Sequence, residues 1–283
     1  MQQALAKLRL WYRLLFRKHL RQSPQVPAVI YPDDTFIVSY PRSGSAWIRR
    51  LISVMQDPLR EPSVKNIDSY VPDIYSVGAR LDSYKRPRIM KSHETYHPGY
   101  PRVIYLVRDG RDVAVSYYSF YQTLYGQTES FKHFLKRFLD GELRFGSWQE
   151  HVRSWVFRNN NNLFMVLQYE QLHESPCSIL HQTADFLNFD ADDARIRLAL
   201  KKCTFEILQE DIKRNTTLST KGYVGGVKGA PGAWKETFTN ELADLFWQKA
   251  GETMKRLGYR HHEGRNGSEC LRNEDSILSS PDC

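Results

Sequence analysis

Apolar positions along the chain fall into two kinds of block: short β-branched runs and longer stretches with helical spacing. Leu5, Leu8, Tyr12, Leu15 and Phe16 recur among Lys7, Arg9, Arg13, Arg17 and Lys18, which predicts a basic amphipathic helix over residues 1–22. Pro24, Pro27 and Pro32 then break the chain. Thr35–Tyr40 is a compact apolar run and reads as a buried parallel strand. Ile89–Lys91, Arg102–Val107 and Leu163–Leu167 read the same way. Helical periodicity covers Ala46–Met55, Asp112–Tyr125, Ser130–Leu139, Ser147–Arg158, Ser175–Leu187, a stretch before Arg214, and Asn240–Leu257. Residues 56–88 carry proline, charge and tyrosine without a clear period and read as irregular with short helices. Residues 215–233, rich in glycine and threonine, read as a loop, and the polar stretch after about His261 as a disordered tail.

Strands alternating with helices imply an α/β fold, a single domain with a central parallel sheet flanked by helices. We expect the domain to run over 29–260, preceded by the basic helix and linker at 1–28 and followed by the tail at 261–283. The 283 residues include 41% hydrophobic and 25% charged residues, an ordinary globular balance. A net charge of +8 suits an anionic ligand, an acidic acceptor, a membrane surface or nucleic acid. No run is apolar enough to span a bilayer, and arginines interrupt every apolar stretch of the N-terminus, so no signal peptide is read. Four scattered cysteines show no metal spacing and read as reduced thiols of a cytoplasmic protein.

Two segments carry candidate chemistry. Tyr40-Pro41-Arg42-Ser43-Gly44-Ser45-Ala46-Trp47 lies where a strand ends and a helix begins. Unsatisfied N–H groups and the helix dipole favour an anion there, and Gly44 lets the backbone approach it. Ser43 and Ser45 add hydroxyls, Arg42 a fixed charge, and Trp47 an aromatic face. The loop lacks the G-x-x-x-x-G-K-[ST] pattern of nucleotide triphosphatases, which speaks against the rival reading of a P-loop small-molecule kinase. The second segment runs from Tyr105 to Tyr118, again strand, turn and helix. Arg108 stands at the strand's end, where open α/β sheets bind ligands, and Ser116 sits eight residues later. Asp109 and Asp112 read as helix-capping residues, and Arg111 as a solvated charge.

These segments together resemble the phosphate loops of sulfotransferases that use 3′-phosphoadenosine-5′-phosphosulfate (PAPS), typically Y-P-K-S-G-T-T-W followed by R-x-P-K-D-x-x-x-S-Y-Y. A third block, Lys228-Gly229-Ala230-Pro231-Gly232-Ala233-Trp234-Lys235, is similar to the family's R-K-G-x-x-G-D-W-K. The resemblance runs from about Thr35 to Thr239. It implies a P-loop nucleotide-binding-like fold and transfer of a sulfuryl group to a hydroxyl or amine of a small alcohol, phenol, lipid or carbohydrate, with no metal. It places the 5′-phosphosulfate on Arg42, Ser43, Gly44, Ser45 and Ala46, and the 3′-phosphate on Arg108, Ser116, Lys228 and Gly229. It places adenine against Trp47, Tyr169 and Phe205. Lys91-Ser92-His93 is similar to K-[ST]-H, whose histidine is the general base, and the neighbouring Glu94 is the alternative base.

The chain departs from the pattern at Arg42, where lysine is usual; arginine stabilises charge but does not donate a proton. Val227 and Ala233 stand where the family has arginine and aspartate, and Cys203-Thr204-Phe205 where it often has T-S-F. For the acceptor, Tyr70, Tyr75, Tyr84, Tyr96 and Tyr100 offer an apolar pocket, and Lys85, Arg86 and Arg88 an anion-binding face, near residues 56–100 and the 215–233 loop. No nucleic-acid module stands out, so nucleic acid is not expected as a partner. The basic helix leaves room for a peripheral membrane contact, and a membrane-surface binding module is the second rival reading.

Overall fold

A computed structural model of the chain describes residues 27, 29–125, 129–158, 163–215 and 229–261. The basic helix at 1–22, the tail after 261, Lys228 and most of the 215–233 loop fall outside them. Four strands form one parallel sheet: β1 (Thr35–Ser39), β2 (Ile89–Ser92), β3 (Arg102–Val107) and β4 (Phe164–Gln168). Their order is β2-β1-β3-β4. Ile37 pairs with Lys91 on one side and Ile104 on the other, and Ile104 pairs with Met165. β1 is buried along its whole length, as a strand inside a covered parallel sheet must be.

The strand period of two divides the apolar residues between two cores. Phe36, Val38, Val103, Tyr105 and Val107 face one of them, together with Trp148, Trp155, Phe134, Phe138 and Phe246. Ile37, Ile104, Leu106 and Leu167 face the other, with Ile48, Leu51, Ile52 and Leu180. The helices that supply these layers are α1 (Ser45–Gln56), α2 (Gly110–Tyr125), α3 (Phe131–Asp140) and α4 (Trp148–Val156). After β4 come α5 (Tyr169–Glu174), α6 (Pro176–Leu187), α7 (Asp193–Lys202), α8 (Phe205–Asn215) and α9 (Asn240–Arg256). Ser130, Ser147 and Thr239 cap α3, α4 and α9 by accepting amide hydrogen bonds from the first turn.

The predicted elements coincide with these to within a residue or two, with two omissions, α5 and α7. Helix α7 was not among the expected helices. It starts on the cap residue Asp192, whose carboxylate accepts from the Arg195 amide, but it buries only Ile196 and Ala199, a stripe too narrow to register as a period. One expectation is corrected outright: Cys177 is disulfide-bonded, so the four cysteines are not all free thiols, while Cys203 is a buried free thiol. Among the described residues no helix is long and apolar enough to cross a membrane.

Candidate active site

β1 delivers the chain into a sharp turn before α1. Arg42 takes φ 74° and Gly44 φ 105°, two left-handed residues within three positions. Such turns aim successive N–H groups into one concavity and make an anion cradle. Gly44 is needed for a second reason: a Cβ there would lie 2.6 Å from Cδ2 of Tyr169. The Ser43 hydroxyl is buried in this loop with no hydrogen-bond partner. A buried, unanswered donor costs free energy.

β3 ends on Arg108 beside the first loop. Its guanidinium lies 4.4 Å from the Tyr169 ring centroid, donates to the Ala230 carbonyl at 3.4 Å and approaches Asp112 at 3.7 Å. Its Nε is buried without a partner, the second unanswered donor of the site. Arg42 Nε donates to Ser116 Oγ at 3.1 Å, so the two phosphate segments meet across 74 residues of sequence. Trp47 and Tyr169 meet edge to face at 5.8 Å, and Trp47 Nε1 donates to the Cys203 carbonyl at 2.8 Å. Tyr169 in turn donates to the Gly229 carbonyl at 2.8 Å. Gly229 sits so close to Phe205 that a Cβ would come within 2.5 Å of its ring.

Asp109 and Asp112 are more than caps. Asp112 accepts the amides of Gly232 and Trp234, each at 2.8 Å, which pins the third motif onto α2. Asp109 accepts the Arg111 amide at 2.8 Å and pairs with its guanidinium at 2.6 Å. Arg111 is therefore not the solvated charge that was expected: it is 2% exposed and lies over the Trp234 ring at 3.8 Å. Glu170 ties the two strand ends together, accepting the Asp109 amide and the Tyr259 hydroxyl, both at 2.8 Å.

His93 follows β2 and is fixed at three points. Its Nδ1 donates to the Ser39 carbonyl at 2.6 Å, its amide donates to the Tyr75 hydroxyl at 3.0 Å, and its carbonyl accepts from His151 Nε2 at 3.0 Å. A proton held on Nδ1 leaves the lone pair on Nε2. Burial, and then the neighbouring Lys91 charge, pull the His93 pKa well below the usual histidine value, so the ring is neutral. Burial also lowers His151, to about 4. Tyr75 donates its hydroxyl to Glu94 Oε1 at 2.7 Å, and the Glu94 carboxylate does not line the cavity into which His93 opens. Lys91 pairs with Asp73 at 2.6 Å. Burial works against the charged form of Asp73, but Lys91 and Arg49 overcome it and hold the carboxyl at about 2.

One cavity of about 480 Å³ joins these parts. It is lined by Arg42, Gly44, Ser45, Ala46, Trp47, Arg108, Ser116, Tyr169, Phe205, Gly229 and His93, eleven of the predicted site residues. Ser43 and Glu94 do not line it. Tyr75, Tyr117, Phe120, Tyr121, Arg144 and Phe145 also line it, with Tyr75 and Phe145 beside His93 and Phe120 beside Arg42. Of the five tyrosines considered for the acceptor, only Tyr75 reaches the cavity. Tyr84 instead donates to the Asp68 carbonyl, and Tyr100 stacks on Phe36. The basic trio does not form an acceptor wall either: Arg88 is buried against Asp34 at 2.5 Å and Arg86 pairs with Asp33 at 2.7 Å. Lys91, His151 and the 142–145 turn entered no sequence expectation as site parts. Only Lys91 had a signal, standing two residues before His93. Among the described residues no group of three or more His, Cys, Asp or Glu side chains is placed to hold a metal ion.

Comparison with known proteins covers the same ground. The family model described as Sulfotransferase domain matches residues 32–258. Sulfotransferase 4A1 of Homo sapiens is 32% identical over 243 residues, covering 79% of this chain and 82% of its own. Sulfotransferase 2A6 of Mus musculus is 31% identical over 236 residues, covering 77% and 83%. Among solved structures, mouse sulfotransferase SULT7A1 complexed with PAP superposes at a TM-score of 0.65 with 25% identity, over 85% of this chain and 93% of that one. Retinol dehydratase in complex with androsterone and PAP shares the fold at a TM-score of 0.63 and 20% identity, over 82% and 83%. The family match contains β1 to β4, both phosphate loops and His93 within one uninterrupted span, and on it this chain belongs to the PAPS-dependent sulfotransferases, enzymes that move a sulfuryl group from PAPS to an acceptor.

Proposed function

We propose that the cavity holds PAPS across the C-terminal ends of β1 and β3, with a hydroxyl-bearing small molecule at its far end. The observation that carries this reading is the single cavity shared by both phosphate cradles and His93. Its size is that of a small-molecule site. In support, one buried unanswered donor, Arg108 Nε, belongs to a residue that lines the cavity. The 5′-phosphosulfate lies on the Arg42–Ala46 loop. The 3′-phosphate lies on Arg108 and Ser116 and on the third motif, where Lys228 and Gly229 stand. Adenine lies among Trp47, Tyr169 and Phe205. PAPS supplies the sulfuryl group for an in-line transfer, and every other task falls to this chain.

His93 Nε2 takes the acceptor proton as the oxygen attacks, and the Ser39 carbonyl keeps that nitrogen free to do so. Arg42 and the loop amides stabilise the charge that develops on the leaving phosphate oxygen. Glu94 is the weaker candidate for the base, because its carboxylate is spent on Tyr75. We place the sulfotransferase domain at 29–260 and the enzyme in the cytoplasm. A contact of the 1–28 segment with membranes rests on sequence alone.

Fixed cations and backbone donors do the work that Mg²⁺ does for a kinase. The purified chain is therefore expected to transfer sulfuryl from labelled PAPS to phenols or alcohols in excess chelator, and to transfer nothing from ATP with Mg²⁺. Transfer that stops on chelation would overturn this reading.

A further inference from the structure

The cavity contains a cation that has no counter-ion among the described residues. Beyond the two cofactor loops, three cationic side chains line the cavity: Lys91, Arg137 and Arg144. Lys91 is answered by Asp73, and Arg137 by Glu129 at 2.9 Å and Glu142 at 3.3 Å. Arg144 has no ion pair or hydrogen bond among the described residues. Its guanidinium instead lies over two aromatic faces, 5.0 Å from the Tyr75 centroid and 4.8 Å from the Phe145 centroid. Those two rings also flank the base: Phe145 is 5.4 Å and Tyr75 6.1 Å from the His93 ring. The unpaired cation and the proton acceptor are thus one aromatic ring apart.

Stacking on two rings fixes the guanidinium plane and leaves its edge N–H donors for a ligand. A planar fork of this kind matches a carboxylate or a sulfate, two oxygens at a time. The two carboxylates that line the cavity, Asp73 and Glu142, already have cations of their own, so neither competes for it. An aromatic wall beside a fixed cation fits a molecule that is flat and apolar in the middle and charged at one edge.

We propose that Arg144 sets acceptor specificity, and that the preferred acceptor is a hydroxylated ring compound carrying a carboxylate or similar anion about one ring away from the reacting hydroxyl. This rests on the reading of His93 as the base and deepens it by naming the acceptor class. Arg144 is a positioning residue, since it holds the acceptor and takes no part in the proton transfer.

The test compares two phenols of one shape, 3-(4-hydroxyphenyl)propionate and its neutral amide. The wild-type enzyme is expected to favour the acid over the amide by about tenfold in kcat/KM, the size of one charge-assisted hydrogen bond in a partly dry site. Arg144→Gln is expected to abolish that ratio, and Arg144→Lys to keep part of it because the charge remains. Calorimetric binding of each phenol to the enzyme saturated with PAP gives a readout independent of turnover. PAP affinity in the same titrations reports whether each variant is folded. Equal treatment of acid and amide by the wild type, or the same preference in Arg144→Gln, overturns the proposal. So does failure of both phenols to bind while PAP binds normally, and in that case the cofactor reading stands. Failure of the wild type to bind PAP would instead remove the reading of the whole cavity.

Discussion

His93→Ala lowers turnover by about 10²–10⁴-fold and leaves PAP binding in place, the effect expected when a positioned general base is removed. The loss is expected to be confined to chemistry because the ring bonds only Ser39, through its carbonyl and hydroxyl, and lines the cavity beside Tyr75 and Phe145. The pH profile carries the same claim. The base works when neutral, and burial lowers its pKa below the ordinary value near 6.5. The acid limb of kcat/KM therefore falls at a pH below 6.5, and activity is level through neutrality. Stability follows the same sign. Between its lowered folded value and 6.5 the unfolded chain binds a proton that the folded chain refuses, so the fold loses stability as the pH drops through that window. Turnover unaffected by His93→Ala would move the base to Glu94. An acid limb centred above 6.5 would contradict the buried, neutral ring.

Arg42→Gly is expected to cost about 2.7–4 kcal/mol of barrier, or about 10²–10³ in turnover, by comparison with loss of one preorganised donor at a developing oxyanion. Glycine is the appropriate replacement because Arg42 sits at φ 74°, where an L side chain is strained by about 1–2 kcal/mol. The variant is expected to relieve that strain and keep the loop's backbone while losing the whole side chain, with its hydrogen bond to Ser116. Strain of this kind persists where the surroundings over-determine it, and here Ser116 and the Phe120 ring hold the side chain in place. Arg42→Lys restores most of the turnover, since charge and not a bidentate fork is the requirement. An Arg42→Gly enzyme with near-normal turnover would assign the leaving-group charge to the loop amides alone.

What could be read in advance follows from where each interaction lives. β1 and β3 were legible because burial on both faces demands continuous apolar runs, β2 and β4 as shorter apolar runs at the sheet's edges, and the two cradles because a strand, a turn and a helix N-terminus are contiguous in sequence. His151 was not legible. It braces the His93 carbonyl from the middle of α4, 58 residues away, and nothing in its neighbours marks it. Arg111 was misread because its partner Asp109 looked like a cap and its ring, Trp234, arrives only when the third motif folds back onto Asp112. The acceptor walls failed for the same reason. Tyr117, Phe120 and Tyr121 sit on the helix of the second cradle, and Arg144 on a turn between α3 and α4, so only tertiary packing brings them to His93. The tyrosines and basic residues considered in the sequence lay before and just after His93 along the chain, but all of them except Tyr75 lie away from the cavity.

The central claim is that the cradles at Arg42 and Arg108 hold the two phosphate ends of one nucleotide. Calorimetric titration of the full chain with PAP and with AMP, in excess chelator, tests it most directly, because the two ligands differ only in the 3′-phosphate. PAP is expected to bind at least about tenfold more tightly than AMP, as a charge-assisted contact from Arg108 requires, with the difference shrinking in Arg108→Gln. Equal affinity of the wild-type protein for PAP and AMP would contradict it.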